Sequence, residues 1–367
     1  MLKERLLKWV DPFLRLPVVG LDISDSTIKY LKFTSRGGKI NFDFFGEIEL
    51  PEGLIKDGEI KNESGLAQVL EIWLEKEGRK VLSNFVAASL PEEKSFLRLI
   101  QLPKIKREEV SGAVRWEIEA NIPLAPEELA YDYEIVEPPE NTLDHIDVVI
   151  TAFPKTVVES YLRVLKEAGL RVSALELESQ ALVRSTIAES QQKETVVLAD
   201  IGRGRTSFII VGGPTILFTD TISLGGRDLE KNIAQTVGAS PRQAASLKEK
   251  IGLNKIAEEG KVYKALLPAV SLLAEELKKV IVYYRNHATH THAGPKVIGK
   301  ILLLGGDANL LGLDTFLSSY LKIPVELADP FASVKSRLKT SIPPIPKNQA
   351  LKFSTASGLA LRGFLKC

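Results

Sequence analysis

Cysteine is nearly absent: Cys367, the last residue of this 367-residue chain, is the only one. No intramolecular disulfide and no multi-thiolate metal site can therefore form, and a reducing compartment is expected. No charge of one sign dominates either, since 48 Lys and Arg stand against 47 Asp and Glu. The basic footprint that phosphate-backbone binding demands is missing from the chain as a whole, which sets nucleic acid aside as a partner. Apolar runs such as 195–198 and 297–304 are broken by charge or glycine, well short of the roughly 18–20 residues that cross a bilayer. The opening stretch MLKERLLKWVDPFLRL is charged throughout and has no small-residue cleavage site, so no secretory signal is expected. No G-x-x-x-x-G-K-[ST] motif occurs, and no G-x-G-x-x-G follows a strand near the start, which excludes a P-loop and gives no dinucleotide fingerprint.

What is present is a globular composition, 44% hydrophobic and 26% charged, on a chain longer than one core usually serves, so two or more domains are expected. Two segments share one grammar. Residues 18–31 run VVGLDISDSTIKYL and residues 196–210 run VVLADIGRGRTSFII. Each is an apolar run, an acidic turn and a second β-rich run, which predicts a hairpin, and together they read as an internal duplication. A third segment, 301–310, is an apolar strand ending on Gly305-Gly306. Helical spacing appears at 106–120 and 156–168, with Gly169 a C-terminal cap, and 145–153 reads as a strand. This block, from Phe85 to Ala174, reads as a subdomain inserted into the first lobe. Helices at 229–237, 241–250 and 266–285 predict a second insertion, 336–347 reads as a loop, and Ala356 to Ala360 falls in a final small-residue helix.

The acidic turns suggest chemistry. Backbone N–H groups of a hairpin turn can cradle a phosphate where glycine permits close approach, a task that fits Gly202 and Gly204. Asp22 and Asp200 cannot hold phosphate themselves, but they suit the water shell of a phosphate-bridging Mg²⁺. Other candidates carry blander readings. Leu2, Leu6, Trp9, Val10 and Phe13 share one helical face with Lys3, Arg5, Lys8 and Arg15 elsewhere, which fits a membrane surface, a partner or packing on the body of the protein. His287, His290 and His292 lie in a loop-like stretch without a fourth ligand for zinc. Trp116 is expected in the core of an amphipathic helix, with interface anchoring as the alternative. Glu117 and Glu119 face different sides of that helix and form no catalytic pair.

The Asp22 turn, the Asp200 turn, the Leu304-Gly305-Gly306 turn and the terminal small-residue helix resemble, in order, the phosphate-1, phosphate-2, adenosine and connect-2 elements of the actin, sugar-kinase and heat-shock chaperone superfamily. Residues 175–181, LELESQA, are similar to its connect-1 element, which makes Glu178 or Gln180 the residue to position an attacking water. An insertion between the two phosphate turns resembles the cell-division protein FtsA. The segments LPK at 102–104, AVRWEIEANIPL at 113–124, YDY at 131–133, SLGGRD at 223–228 and ASLK at 245–248 are similar to the PilM family of type IV pilus assembly, a resemblance running from about Val18 to Gly363.

The resemblance implies an α/β, actin-like fold of two lobes. Its parts would be an N-terminal segment (1–16), a first lobe (17–86 and 175–195) with an insertion (87–174), and a second lobe (196–228 and 296–367) with an insertion (229–295). It implies ATP and Mg²⁺ as cofactors, held by Asp22, Ser24, Ser26, Lys29, Asp200, Gly202, Gly204, Thr206, Gly225, Gly226, Gly305 and Gly306, with Lys248, Glu276 and Lys279 as ribose and adenine contacts. It further implies a cytoplasmic adaptor, peripheral to the inner membrane, that grips the cytoplasmic N-terminal tail of PilN between the first lobe and its insertion. Association with other pilus inner-membrane components and self-association are also implied. Ser24 departs from the pattern, because the superfamily places glycine there; hydrolysis is thus expected to be slow or absent. The rival expectations are an FtsA-type filament-forming protein and a small-molecule kinase or brisk ATPase on the same fold.

Overall fold

The computed structural model describes residues 18–36, 39–81, 85–136, 145–187, 194–213, 215–287, 297–338 and 343–364. The amphipathic segment 1–16, His290, His292 and Cys367 lie outside them. The first lobe begins with β1 (Val19–Ile23), whose five residues are all buried, and continues through β2 (Thr27–Arg36), β3 (Lys39–Glu49), the short pair β4 (Ile55–Lys56) and β5 (Glu59–Ile60), α1 (Glu63–Val81) and β6 (Phe85–Leu90). There follow β7 (Phe96–Pro103), α2 (Arg107–Asn121), β8 (Leu129–Val136), β9 (His145–Pro154), α3 (Lys155–Glu167), β10 (Arg171–Leu177) and α4 (Glu178–Thr186). The main sheet has the order β10-β6-β1-β2-β3, with β1–β2 and β2–β3 antiparallel and β1–β6 and β6–β10 parallel. Gly169, at φ 75°, follows α3, and the Leu170 amide closes back on the Leu165 carbonyl at 2.9 Å, the left-handed helix end that the sequence predicts.

The second lobe repeats the plan with β11 (Thr195–Ile201), β12 (Thr206–Gly212), β13 (Thr215–Ile222), α5 (Gly226–Val237), α6 (Pro241–Ile251), α7 (Lys261–His287), β14 (Ile298–Leu304), α8 (Leu313–Leu321) and β15 (Val325–Leu327). Its sheet order, β15-β14-β11-β12-β13, places antiparallel and parallel pairs in the same succession as the first. The duplication read in the sequence is therefore a duplication of sheets. Helices α5 to α7 bury Leu229, Ile233, Ala244, Leu266, Leu273 and Leu277 in the main core. Among the described residues, no helix is long and apolar enough to cross a membrane.

Three expectations need correction. The insertion expected over 87–174 is narrower, because β6 and β10 are hydrogen-bonded into the main sheet and α3 buries Tyr161, Val164 and Leu165 in the main core. What projects is the antiparallel sheet β7-β9-β8 with α2 on one face, over 96–154. There Val110, Val114 and Ile118 meet Leu102, Val148, Ile150 and Ala152 in a core of their own. Second, the chain beyond β15 does not stay in the second lobe. After α9 (Lys347–Ala350) it ends in α10 (Ser354–Leu361), which lies against β1 and α4 of the first. Small residues permit this approach: a Cβ on Gly358 would overlap the Ala181 backbone. Third, Trp116 is 74% exposed, because α2 turns Val110, Val114 and Ile118 inward and leaves the tryptophan on the outer side.

One buried carboxylate ties the two helices that pass between the lobes. Glu176 on β10 accepts from Arg184 of α4 (Nη2 to Oε2, 2.9 Å) and from Arg362 beyond α10 (2.5 Å), while Arg184 also donates to the Gly358 carbonyl at 3.0 Å. Replacing Glu176 with alanine leaves two guanidinium groups unmatched. We expect a loss of about 3 kcal/mol in denaturant unfolding, the lower end for a broken buried ion pair because both arginines keep some solvent. Trp116→Ala, in contrast, should change stability by less than about 0.5 kcal/mol, as a surface substitution does.

Candidate functional site

The two hairpins are built alike down to their closing hydrogen bonds. The Ser24 amide donates to the Thr27 carbonyl and the Gly202 amide to the Arg205 carbonyl, each at 2.9 Å. Asp22 and Asp200 occupy equivalent positions on β1 and β11, and both turns meet at a cleft of ≈ 400 Å³ between the lobes. Of the residues chosen from the sequence, the cleft is lined by Asp22, Ser24, Ser26, Lys29, Glu178, Asp200, Gly202, Gly204, Lys248, Gly305 and Gly306. Thr206, Gly225 and Gly226 stand behind this lining. The Thr206 hydroxyl donates to the Leu224 carbonyl at 2.7 Å, and the Gly226 amide donates to the Gly202 carbonyl at 3.0 Å. They shape the second turn without lining the cleft.

The cradle differs from expectation in two details. The Gly202 amide is consumed in closing its hairpin, so the amides left for a ligand are those of the residues after it. Ser24 folds its hydroxyl back on its own turn, donating to the Thr27 carbonyl at 2.9 Å and accepting from the Thr27 amide at 3.2 Å. It thereby stiffens the turn that glycine would leave loose. Across the cleft, Gly305 ends β14 at φ 83°, with the Ile201 carbonyl and the Asp200 carboxylate filling the space where a side chain would stand. Only glycine suits that position.

The charges are unequal in a way that the strand register explains. Asp22 lies opposite Lys29, whose ammonium is 3.7 Å from the carboxylate, whereas Asp200 lies opposite Ser207. Burial raises the Asp22 pKa and Lys29 works against that rise. Asp200 has no such neighbour on its partner strand: burial and the Asp22 charge push it up to about 7. Glu178, the first residue of α4, is raised well above the ordinary carboxylate value by burial, then by Asp22 and Asp200. The three groups repel one another in a half-enclosed space. On the far side, Lys248 pairs with Glu230 at 2.7 Å and with Asp307, while Arg203 reaches Glu230 at 3.3 Å. Burial works against the Lys248 ammonium, but the Asp307 and Glu230 carboxylates outweigh it and hold its pKa above that of an ordinary lysine.

Two expectations are not met. Glu276 and Lys279 pair with each other at 2.8 Å on α7 and do not line the cleft. That helix spends its apolar face on the core and presents these two elsewhere. Gln180 accepts from the Leu177 amide at 3.3 Å, capping its own helix, which leaves Glu178 as the candidate for positioning water. The sequence reading also passed over Asp25, Arg205, Arg227, Glu230 and Asp307, all in the lining. Arg203 and Arg205 flank Gly204 inside the very motif that was singled out, and that was the available signal. Glu230 and Asp307 meet only because α5 and the end of β14 converge.

A divalent cation can be tested against this donor set. Among the described residues no group of three His, Cys, Asp or Glu side chains stands close enough to ligate a metal directly. Asp22 and Asp200 are two mutually repelling carboxylates, each just ahead of a hydrogen-bonded turn in the cleft lining. Such a set fits a hydrated cation held through water.

Comparison with known proteins follows this geometry. The solved structure of a PilM–PilN type IV pilus biogenesis complex superposes with a TM-score of 0.77 at 25% identity, covering 96% of this chain and 100% of that one. The MreB protein of Spiroplasma citri, solved with AMPPNP bound, has a TM-score of 0.52 at 13% identity, covering 86% and 92%. FtsA of Enterococcus faecalis is 23% identical over 255 residues, 64% of this chain and 58% of FtsA, so the chain spans less than two thirds of that relative. These likenesses give the chain an actin-like fold. A family model described as type IV pilus assembly protein PilM matches residues 20–364, from the first hairpin to the last helix, and on that match the chain belongs to the PilM family.

Proposed function

We propose that this chain is a nucleotide-loaded adaptor of type IV pilus assembly, binding ATP with Mg²⁺ between its hairpins and gripping the cytoplasmic tail of PilN, with slow hydrolysis or none. The observation that carries the nucleotide reading is the pair of register-matched aspartates at equivalent turns on opposite sides of one cleft. Acidic side chains outnumber basic ones along the lining, so a polyphosphate alone would be repelled, while a cation-bound one relieves the strain among Asp22, Asp200 and Glu178. A bound Mg²⁺ would supply charge neutralisation between phosphate and carboxylates. Asp22 and Asp200 would orient its water shell, Ser24 and Gly204 would keep the turns in place, and Lys248 would stand on the nucleoside side. Glu178 supports the slow end of the activity scale. Burial and two like charges raise its pKa well above the ordinary carboxylate range, which favours the neutral form over the base that would activate water.

Likeness over the whole chain to the PilM component of a complex with PilN supports PilN as the partner. A place beside the inner membrane would then come through PilN. Titration with a synthetic PilN cytoplasmic tail and a scrambled control tests this directly: the native tail alone should bind, and equal binding of both, or of neither, rejects the adaptor reading.

The cleft makes its own predictions. Without ligand, a native-state Asp200 at about 7 against an ordinary 3.8 means that the folded protein holds the extra proton between those values. Unfolding free energy should therefore fall as pH rises through that window and level off above it. Asp200→Asn should flatten this part of the profile and raise the ligand-free melting temperature at neutral pH and above. Saturating Mg-ATP, at about 100 times Kd, should stabilise the wild type by about 2.7 kcal/mol, and Asp200→Ala should abolish that gain. Wild-type protein that shows no shift with Mg-ATP, with or without chelator, rejects the nucleotide site.

A further inference from the structure

The second hairpin carries an arginine whose partners belong to the other lobe. Arg205 has its backbone fixed, because its carbonyl closes the turn with the Gly202 amide at 2.9 Å. Its side chain lines the cleft and crosses to the first lobe, where Nη2 stands 3.0 Å from Asp25 Oδ1 and Nη1 meets the Glu93 carboxylate. A neighbouring cation network of the lining stays within the second lobe: Arg203, Glu230, Lys248 and Asp307 hold one another. Arg205 is thus committed to anions of the lobe opposite, at the point where the two phosphate-type turns approach.

The two anions are held differently. Asp25 remains satisfied without Arg205, since its Oδ2 accepts from the Asp57 amide and its Oδ1 from the Gly58 amide, both at 3.0 Å. Glu93 stands in the short turn that leads from β6 into the insertion, and no other cation within ion-pair distance of it is found among the described residues. Exchanging these carboxylates for another anion therefore leaves Asp25 bonded and leaves only Glu93 uncompensated. A terminal phosphate suits the exchange, because a guanidinium binds its oxygens two at a time through parallel N–H donors.

We propose that Arg205 is a phosphate ligand in reserve: Asp25 and Glu93 neutralise it while the cleft is empty, and the terminal phosphate of a nucleoside triphosphate takes it from them. The cleft then distinguishes triphosphate from diphosphate through this side chain. The proposal rests on the nucleotide reading of the cleft. It goes beyond that reading in assigning phosphate number to one residue and in naming Glu93 as the competitor.

Calorimetric titration of the full chain with Mg-ATP and Mg-ADP at fixed ionic strength is the test. Wild-type protein should favour ATP. Arg205→Ala should weaken ATP by about tenfold or more, the range for a lost charge-assisted hydrogen bond, while ADP changes by less than about threefold. Glu93→Gln, which keeps the guanidinium and removes its competitor, should tighten ATP, and the double variant should lose that gain. Should Arg205→Ala fail to fold, Glu93→Gln decides alone. Wild-type binding with unaltered ATP affinity in Arg205→Ala, or ATP weakened in Glu93→Gln, overturns the proposal and leaves the nucleotide site standing. A wild type that binds neither nucleotide overturns both.

Discussion

Repulsion among carboxylates that the fold itself does not neutralise governs this molecule. Asp22 arrives from the first sheet, Asp200 from the second and Glu178 from the helix that passes between them; burial raises all three pKa values, the Asp22 charge adds to the rise at Asp200, and both aspartates add to the rise at Glu178. Among the described residues, only Asp22 of the three has a cation within ion-pair distance, Lys29, placed there by the β1–β2 register. Water and protein hydrogen bonds reduce such repulsion but do not cancel it at low dielectric. The surrounding architecture must hold the three groups close regardless, and much of it is explained by that demand.

Rigidity comes from places where the backbone is pressed together. Helices α4 and α10 cross at Gly358 and Ala181 with no side chain between them, and Glu176 ties both through Arg184 and Arg362. Ser24 bonds within its own turn, and Gly305 admits the Asp200 carboxylate to space that any other residue would fill. Each contact removes freedom from a group that would otherwise swing away from its like-charged neighbour.

The turn at 91–95, between β6 and the insertion, brings the separate regions into contact. Glu92 is buried and accepts from the Ser179 amide at 3.1 Å at the start of the Glu178 helix. Glu93 meets Arg205 of the second hairpin, and Lys94 reaches Glu59 at 2.5 Å in the short β4–β5 pair. The insertion is thus rooted in the walls of the cleft.

The two hairpins, the acidic turns, the helix end at Gly169 and the small-residue final helix were legible in the sequence, because each depends on neighbours a few residues away: strand alternation, a left-handed glycine, an aspartate before a turn. Their repetition at 18–31 and 196–210 was enough to imply two like lobes. Trp116 was misjudged because helical spacing says which residues share a face, not which face meets a core, and that was settled by β7, β8 and β9 beneath α2. Glu276 and Lys279 were carried over from the resemblance, which names a helix but not the face that α7 turns toward the cleft; here they pair with each other and stay out of the lining. Arg205, Glu93 and Asp25 could not be joined by reading, since Glu93 and Arg205 stand 112 positions apart and only the closing of two lobes makes them neighbours. The sequence by itself determined the acidic turns and the glycines that shape them. Tertiary structure alone decided which charges face each other, because electrostatic partners are set by distance in space.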